Sequence, residues 1–136
     1  MKFAKYIFWI AGIYGMVAVT PLYFMLDWLD RKSPPPVTHP DFYYGFVGLG
    51  LAWQIAFLVI ATDPARFRPM MLPSVLEKFS YVAALAVLYA QGRVKTAQAA
   101  AGSTDLLLGL LFLVAFFKTR AAASTTGGSG GKSSRL

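Results

Sequence analysis

The chain has 136 residues, which suffices for one domain, and 57% of them are hydrophobic against 14% charged. A soluble domain usually carries about 25% charged residues, so this composition excludes an ordinary soluble fold and indicates a membrane protein. The net charge of +7 is spread over short clusters between apolar runs. This arrangement argues against nucleic acid as a partner and favours contact with the headgroups of a lipid bilayer.

Two residue types that commonly carry site chemistry are scarce. Cysteine is absent, so the chain forms no disulfide and no thiolate metal site. Histidine occurs once, as His39 in a proline-rich segment, which does not suffice for a histidine metal centre. We therefore expect no metal and no cofactor.

The first apolar run covers about residues 6–26 and follows Lys2 and Lys5. At about 1.5 Å per residue, a helix of this length crosses a hydrocarbon core of about 30 Å. The run is longer than the apolar core of a signal peptide, and Pro21 directly follows its small-residue cleavage candidate. We therefore predict a retained membrane helix with a kink near Pro21.

Residues 27–41 form a predicted loop, because a run of consecutive prolines cannot continue a helix. The second apolar run covers about residues 43–62, and its first half is rich in small residues. Gly48 and Ala52 have the four-residue spacing that lets a neighbouring helix approach closely. Together with Gly45, they are the predicted helix-packing residues.

Polar side chains inside the apolar runs are the candidate functional residues. Gln54 lies near the middle of the second run, where its amide is costly against lipid tails and is expected to face the bundle. The third run, residues 73–90, contains Glu77 about four residues from its start, and Tyr81 follows one helical turn later on the same face. Gln54, Glu77 and Tyr81 are therefore the predicted ligand-binding residues.

The charge of Glu77 permits two interpretations at its predicted depth of about 6 Å below the cytoplasmic boundary. An ionisable residue inside a membrane is a functional candidate, since its burial in lipid is costly. Alternatively, Glu77 stays near the headgroups and pairs with Arg66 or Arg68 of the preceding turn. Lys78 is expected to extend to the membrane surface, because adjacent residues of a helix face different directions.

The fourth run is strongly apolar only over residues 105–117, and extension to about residues 99–119 gives it the length of a membrane span. Asp105 then lies near the outer surface and Glu77 near the inner one, so we expect no carboxylate pair for proton transfer. The Gly- and Ser-rich residues 124–136 are predicted to be a disordered tail.

The distribution of charge predicts the orientation of the membrane domain, residues 1–123. Lys and Arg are more numerous on the side that holds both termini and the turn after the second helix. Because cytoplasmic segments of membrane proteins are enriched in these residues, both termini are predicted to be cytoplasmic.

Two adjacent segments, Gly45-Phe-Val-Gly-Leu-Gly-Leu-Ala52 and Ala61-Thr-Asp-Pro-Ala-Arg-Phe-Arg-Pro69, resemble small four-helix bacterial inner-membrane proteins of the DoxX-like kind. The resemblance covers about residues 43–117. It implies a four-helix bundle in a bacterial inner membrane, and some proteins of this kind serve as subunits of quinone-linked redox complexes. That activity is not carried over, because this chain has no cysteine and no evident redox centre.

The sequence thus predicts an all-α bundle of four transmembrane helices. The favoured function is a structural or accessory component that acts through helix contacts with a membrane-protein partner or a second copy of itself. No catalytic set of nucleophile, base and acid is present, which argues against an enzyme. Two alternatives stay open: a binder or carrier of a small hydrophobic molecule or lipid, and a membrane enzyme subunit with Glu77 as its acid–base group.

Overall fold

The computed structural model describes residues 2–126, and side chains up to Thr119. The described residues form helices joined by turns and loops, without a β-strand. The α-helices are α1 (Lys2–Val19), α2 (Leu26–Lys32), α3 (Pro40–Thr62), α4 (Met71–Ala90), α5 (Thr96–Ala101) and α6 (Ser103–Thr126). The predicted tail, residues 124–136, lies outside the described residues except for 124–126, which belong to α6.

Four helical segments of the described chain have the length and the apolar composition to cross a membrane. They are Lys2–Phe24, Pro40–Thr62, Arg68–Ala90 and Thr96–Thr119. Each has 23 or 24 residues, which gives about 35 Å of helix against a hydrocarbon core of roughly 30 Å. The predicted fold class, an all-α membrane protein with four transmembrane helices, is confirmed.

Two spans begin earlier than the sequence predicted. The third begins at Arg68, in a short 3₁₀-helix that leads into α4, because Pro69 and Pro73 both fall near the helix start, where proline is tolerated. The fourth begins at Thr96, because the alanine-rich residues 97–101 favour a helix. As a result, the polar residues of both spans lie deeper than predicted.

The four spans are not packed evenly. α1 packs along α3 and against α6, and α4 packs along α6, whereas α3 and α4 make few contacts with each other. The bundle is therefore least closed between α3 and α4. We call the end that contains Lys2, Thr62 and Arg68 the turn end, and the opposite end, with Phe24 and Ala90, the loop end.

Glycines on α1 and α6 bring neighbouring helices close together. A Cβ atom at Gly12 would lie 2.7 Å from Leu58 of α3. A Cβ atom at Gly109 would lie 2.8 Å from the ring of Phe79 of α4. Leu58 or Phe79 would have to shift to make room for a side chain at these positions, so the two glycines permit the close packing of α1 on α3 and of α4 on α6.

The small residues predicted to pack α3 do not form such contacts within the described chain. A Cβ atom at Gly45 would meet nothing within 4 Å, and Ala52 is exposed. Gly48 approaches only Tyr23, whose hydroxyl would lie 3.2 Å from such a Cβ atom. The helix-packing role of Gly45, Gly48 and Ala52 therefore stays a prediction: small-residue spacing identifies a smooth helix face, and a helix that covers this one closely would have to come from another chain.

Toward the turn end, the bundle has a closely packed aromatic core. Phe8, Phe57 and Phe112 are fully buried and come from α1, α3 and α6. The rings of Phe8 and Phe112 stack with centroids 4.2 Å apart, and Phe57 meets Phe112 edge-on at 4.9 Å. Smaller apolar residues are buried around these rings: Ala4, Ala11, Ile60, Ala61, Met71 and Ala115. The three rings join α1, α3 and α6, and Met71 adds α4 to the same core.

Candidate functional site

Glu77 and Asp105 both lie near the middle of the membrane-spanning region. Glu77 follows the start of the third span by nine residues, and Asp105 follows the start of the fourth by nine residues. Each is therefore about 14 Å from the end at which its span begins. Because these spans run in opposite directions, the two residues approach each other. The predicted separation of Glu77 and Asp105 to opposite surfaces is wrong, because both spans begin earlier than predicted.

Lys78 joins the two carboxylates. Its Nζ donates a hydrogen bond of 2.9 Å to Oδ1 of Asp105 and lies 3.6 Å from Oε2 of Glu77. The lysine is only 6% exposed, and its ammonium lies 5.4 Å from the ring centroid of Phe57. A buried ammonium without a counterion is costly, so the ion pair with Asp105 holds Lys78 inside the bundle.

Two expectations for the charged residues of α4 are therefore wrong. Lys78 does not extend to the membrane surface, because α6 offers it a carboxylate at hydrogen-bond distance. Glu77 is not paired with Arg66 or Arg68. The Nε of Arg68 donates instead to the carbonyl oxygen of Phe116 over 3.2 Å, and its guanidinium lies 3.7 Å from the centroid of that ring.

A break in the fourth span positions Asp105. At Gly102 the chain passes from α5 to α6, and a Cβ atom there would lie 2.5 Å from Cδ1 of Leu85. Asp105 falls in the first turn of α6, where backbone N–H groups and the helix dipole stabilise a carboxylate. Two interactions therefore stabilise the carboxylate of Asp105: the hydrogen bond from Lys78 and the dipole at the start of α6.

A cavity of about 600 Å³ lies beside this cluster, between α1, α3, α4 and the α5–α6 junction. Its wall includes one basic residue and two acidic residues: Lys78, Glu77 and Asp105. Four aromatic residues also line it: Tyr14, Phe46, Trp53 and Tyr81. The volume is within the range of about 300–1,000 Å³ that is typical of small-molecule sites. A molecule with an apolar body and one polar group fits this lining.

Gln54 lies at the contact between α3 and α1. It is 3% exposed, and its Nε2 donates a 2.9 Å hydrogen bond to the carbonyl oxygen of Gly50 in the same helix. Its Oε1 has no hydrogen-bond partner among the described residues. This oxygen occupies the space that Gly15 leaves open, since a Cβ atom at Gly15 would clash with it. Gln54 therefore packs α3 against α1 as well as lining the cavity.

The cavity brings together the three residues that the sequence singled out for ligand binding, Gln54, Glu77 and Tyr81. Sequence reasoning missed Lys78 and Asp105 as members of the same site. A signal for them was available, because ionisable residues of opposite charge in two antiparallel spans are costly unless they meet. The signal was lost when hydrophobicity alone set the limits of those spans.

Among the residues that the structure describes, no group of three or more His, Asp or Glu side chains is placed to hold a metal ion. In comparisons with known proteins, no family model, no curated protein and no solved structure matches the chain. The geometry of the cavity is therefore the basis for a functional proposal.

Proposed function

We propose that the protein binds a small amphiphilic molecule in the cavity between α1, α3, α4 and α6. The observation that carries the proposal is the cluster of Glu77, Lys78 and Asp105 at the wall of that cavity, about halfway across the membrane-spanning region. Buried ion pairs are costly, and apolar side chains of similar volume usually pack such a position at lower cost. The presence of the cluster beside an open volume supports a binding role for it.

The packing of the helices supports access to the cavity from the bilayer. The cavity is lined by both α3 and α4, and these two helices make few contacts with each other. A molecule dissolved in the lipid can reach the cavity between them without passing through the aromatic core. The ligand class that suits this route is a membrane-soluble molecule whose polar group meets the charged cluster and whose apolar part contacts the aromatic wall.

A fluorescent probe tests this proposal directly. N-phenyl-1-naphthylamine is neutral and apolar, and its fluorescence rises when it leaves water. Binding to the protein purified in dodecyl maltoside is therefore the fluorescence in excess of that in protein-free micelles at the same detergent concentration. We expect saturable binding to the wild type and a loss of about tenfold or more in affinity for Gly50→Phe. Gly50 lines the cavity, and a Cβ atom there meets only Val19, at 3.8 Å, so the added ring enters the open volume.

Gly45→Phe is the matched control. It makes the same substitution on the same helix, but a Cβ atom at Gly45 meets nothing within 4 Å, and the residue does not line the cavity. Its probe affinity should equal that of the wild type. Equal binding by both variants, or binding to the wild type that does not saturate, would show that the cavity holds no ligand. Native mass spectrometry of the protein from its own membrane would then identify a retained molecule or a bare chain.

A second candidate is the accessory role predicted from the sequence, which is favoured by one face of α3. Gly45 and Ala52 are exposed on one side of α3, and a Cβ atom at Gly45 would meet nothing within 4 Å. Such a face suits close packing against a helix of another membrane protein or of a second copy. Gly45→Leu should then reduce the mass of the complex recovered in mild detergent. An unchanged mass would remove this candidate.

We further propose that the protein lies in a bacterial inner membrane with both termini in the cytoplasm, as the DoxX-like resemblance and the excess of cations at the turn end suggest. The chain has no native cysteine, so single introduced cysteines report their side unambiguously. An impermeant maleimide should label Arg93→Cys but not Arg66→Cys in intact cells. The reverse pattern would invert the proposed orientation.

A further inference from the structure

The charges at the cavity wall do not balance. Among the lining residues, Lys78 is basic and Glu77 and Asp105 are acidic, so the fully ionised cluster has a formal charge of −1. Near mid-membrane, a single excess charge is not screened by water and is costly unless something neutralises it. The cavity therefore has room and a reason to accept one positive charge.

The excess charge is located at Glu77. Asp105 receives the hydrogen bond from Lys78 over 2.9 Å and lies in the first turn of α6. Glu77 is farther from the same ammonium, at 3.6 Å, and its Oε2 is buried without a hydrogen-bond partner. One lysine cannot neutralise two carboxylates, and the geometry assigns it mainly to Asp105.

The aromatic part of the wall has the same preference for positive charge. Tyr14, Phe46, Trp53 and Tyr81 line the cavity together with Glu77. The faces of aromatic rings attract cations, and the attraction is stronger where water is excluded. A carboxylate and several aromatic rings around one volume form a binding environment typical of organic cations.

We propose that the ligand is a hydrophobic organic cation, whose positive group is held by Glu77 and whose apolar body lies against the aromatic wall. This inference rests on the proposed binding function of the cavity and adds the sign of the ligand's charge. A bare metal ion fits the site poorly, because it requires several oxygen ligands, and the ammonium of Lys78 already lies between the two carboxylates.

Two ions of the same shape and opposite charge test the inference. Tetraphenylphosphonium and tetraphenylborate each compete with N-phenyl-1-naphthylamine for the purified protein, and the Gly50→Phe variant measures their partition into the micelle. We expect the cation to displace the probe from the wild type at a concentration about tenfold or more below that of the anion. Equal or stronger displacement by tetraphenylborate would overturn the inference.

Glu77→Gln then assigns the preference to one residue. It keeps the shape of the side chain and removes its charge, so the affinity for the cation, measured relative to that for the neutral probe in the same variant, should fall about tenfold or more. Glu77→Asp keeps the charge and should keep the preference for the cation. An unchanged affinity for the cation in Glu77→Gln would show that a group other than Glu77 binds the positive charge of the ligand.

The neutral probe separates the two levels of the proposal. If it binds the wild type saturably and tetraphenylphosphonium does not displace it, the cavity is a binding site but the ligand is not a cation. If the probe does not bind the wild type saturably, the proposed function itself fails. If Glu77→Gln does not fold, the ratio of the concentrations at which the two ions displace the probe from the wild type still decides the sign of the ligand's charge.

Discussion

The two ends of the bundle use the same four spans in different ways. Toward the turn end, α1, α3 and α6 meet through the stacked and edge-on rings of Phe8, Phe57 and Phe112. Nearer the loop end, the same three helices turn Gly15, Gln54 and the start of α6 toward a cavity. The first region resembles the core of a soluble protein, and the second keeps an open volume with charges beside it.

The difference shows where stability and function are located. In a membrane, close packing and hydrogen bonds hold helices together, because lipid tails are as apolar as the side chains. The aromatic core supplies such packing. The cavity region lacks such close packing and contains a buried ion pair, which is a poor source of stability. A region that costs stability and is nevertheless built from specific residues is where a functional site is expected.

The aromatic core should give the largest loss on mutation. Phe112→Ala removes a ring that stacks on Phe8 and meets Phe57, so the free energy of unfolding should fall by about 4 kcal/mol. SDS titration in mixed micelles, followed by circular dichroism, measures this quantity.

Phe117→Ala is the matched control for that change. It lies on the same helix and removes the same ring, but Phe117 is 57% exposed in the bundle. Its loss should stay below about 1 kcal/mol. If both substitutions cost the same, the ring contacts at the turn end do not stabilise the bundle, and the contrast between the two regions disappears.

The ion pair should give the next largest effect. Lys78→Met leaves Asp105 and Glu77 without a counterion, so the free energy of unfolding should fall by about 3 kcal/mol in the same SDS titration. Lys5→Met, which removes an exposed lysine of α1, should change it by less than about 0.5 kcal/mol.

A double-mutant cycle sharpens this result. Asp105→Asn in the Lys78→Met background removes one of the two stranded carboxylates, so the double variant should be more stable than Lys78→Met alone. Additive losses would mean that Lys78 and Asp105 do not stabilise each other, despite the distance of 2.9 Å between their charged atoms.

Hydrophobic patterning was sufficient to predict the fold class, since four apolar runs with polar connections have few alternatives in a membrane. It was not sufficient to predict the site. Span limits near Arg68 and Thr96 depend on whether short proline- and alanine-rich segments join the helices, and an error of a few residues moved Glu77 and Asp105 to opposite surfaces. A shift of five residues is about 7.5 Å of helix, enough to separate an ion pair.

Packing partners were also beyond the sequence. The spacing of Gly48 and Ala52 predicts a smooth face equally well whether a helix or lipid covers it. Conversely, Ala11 and Gly15 have the same four-residue spacing and were not singled out from the sequence, yet Gly12 and Gly15 both lie at close contacts between α1 and α3. Which glycines matter is decided by three-dimensional neighbours, and these become visible only when the helices are placed together.

Gly15 lies at the contact between α1 and α3 beside the cavity. Its substitution should give the smallest loss in the free energy of unfolding among these variants. A Cβ atom at Gly15 would clash with Oε1 of Gln54 and lie 2.6 Å from its Cγ, so Gly15→Ala forces that side chain to a new rotamer and disrupts its hydrogen bond to Gly50. The expected loss is about 2 kcal/mol in the SDS titration.

Gly45→Ala, whose added Cβ atom meets nothing within 4 Å, should instead be neutral or slightly stabilising, because alanine favours the helix. Adding Gln54→Ala to Gly15→Ala should recover part of the loss by removing the clash. If Gly15→Ala is as harmless as Gly45→Ala, then α1 and α3 are not held in contact at this position, and the wall of the cavity on that side is looser than the structure shows.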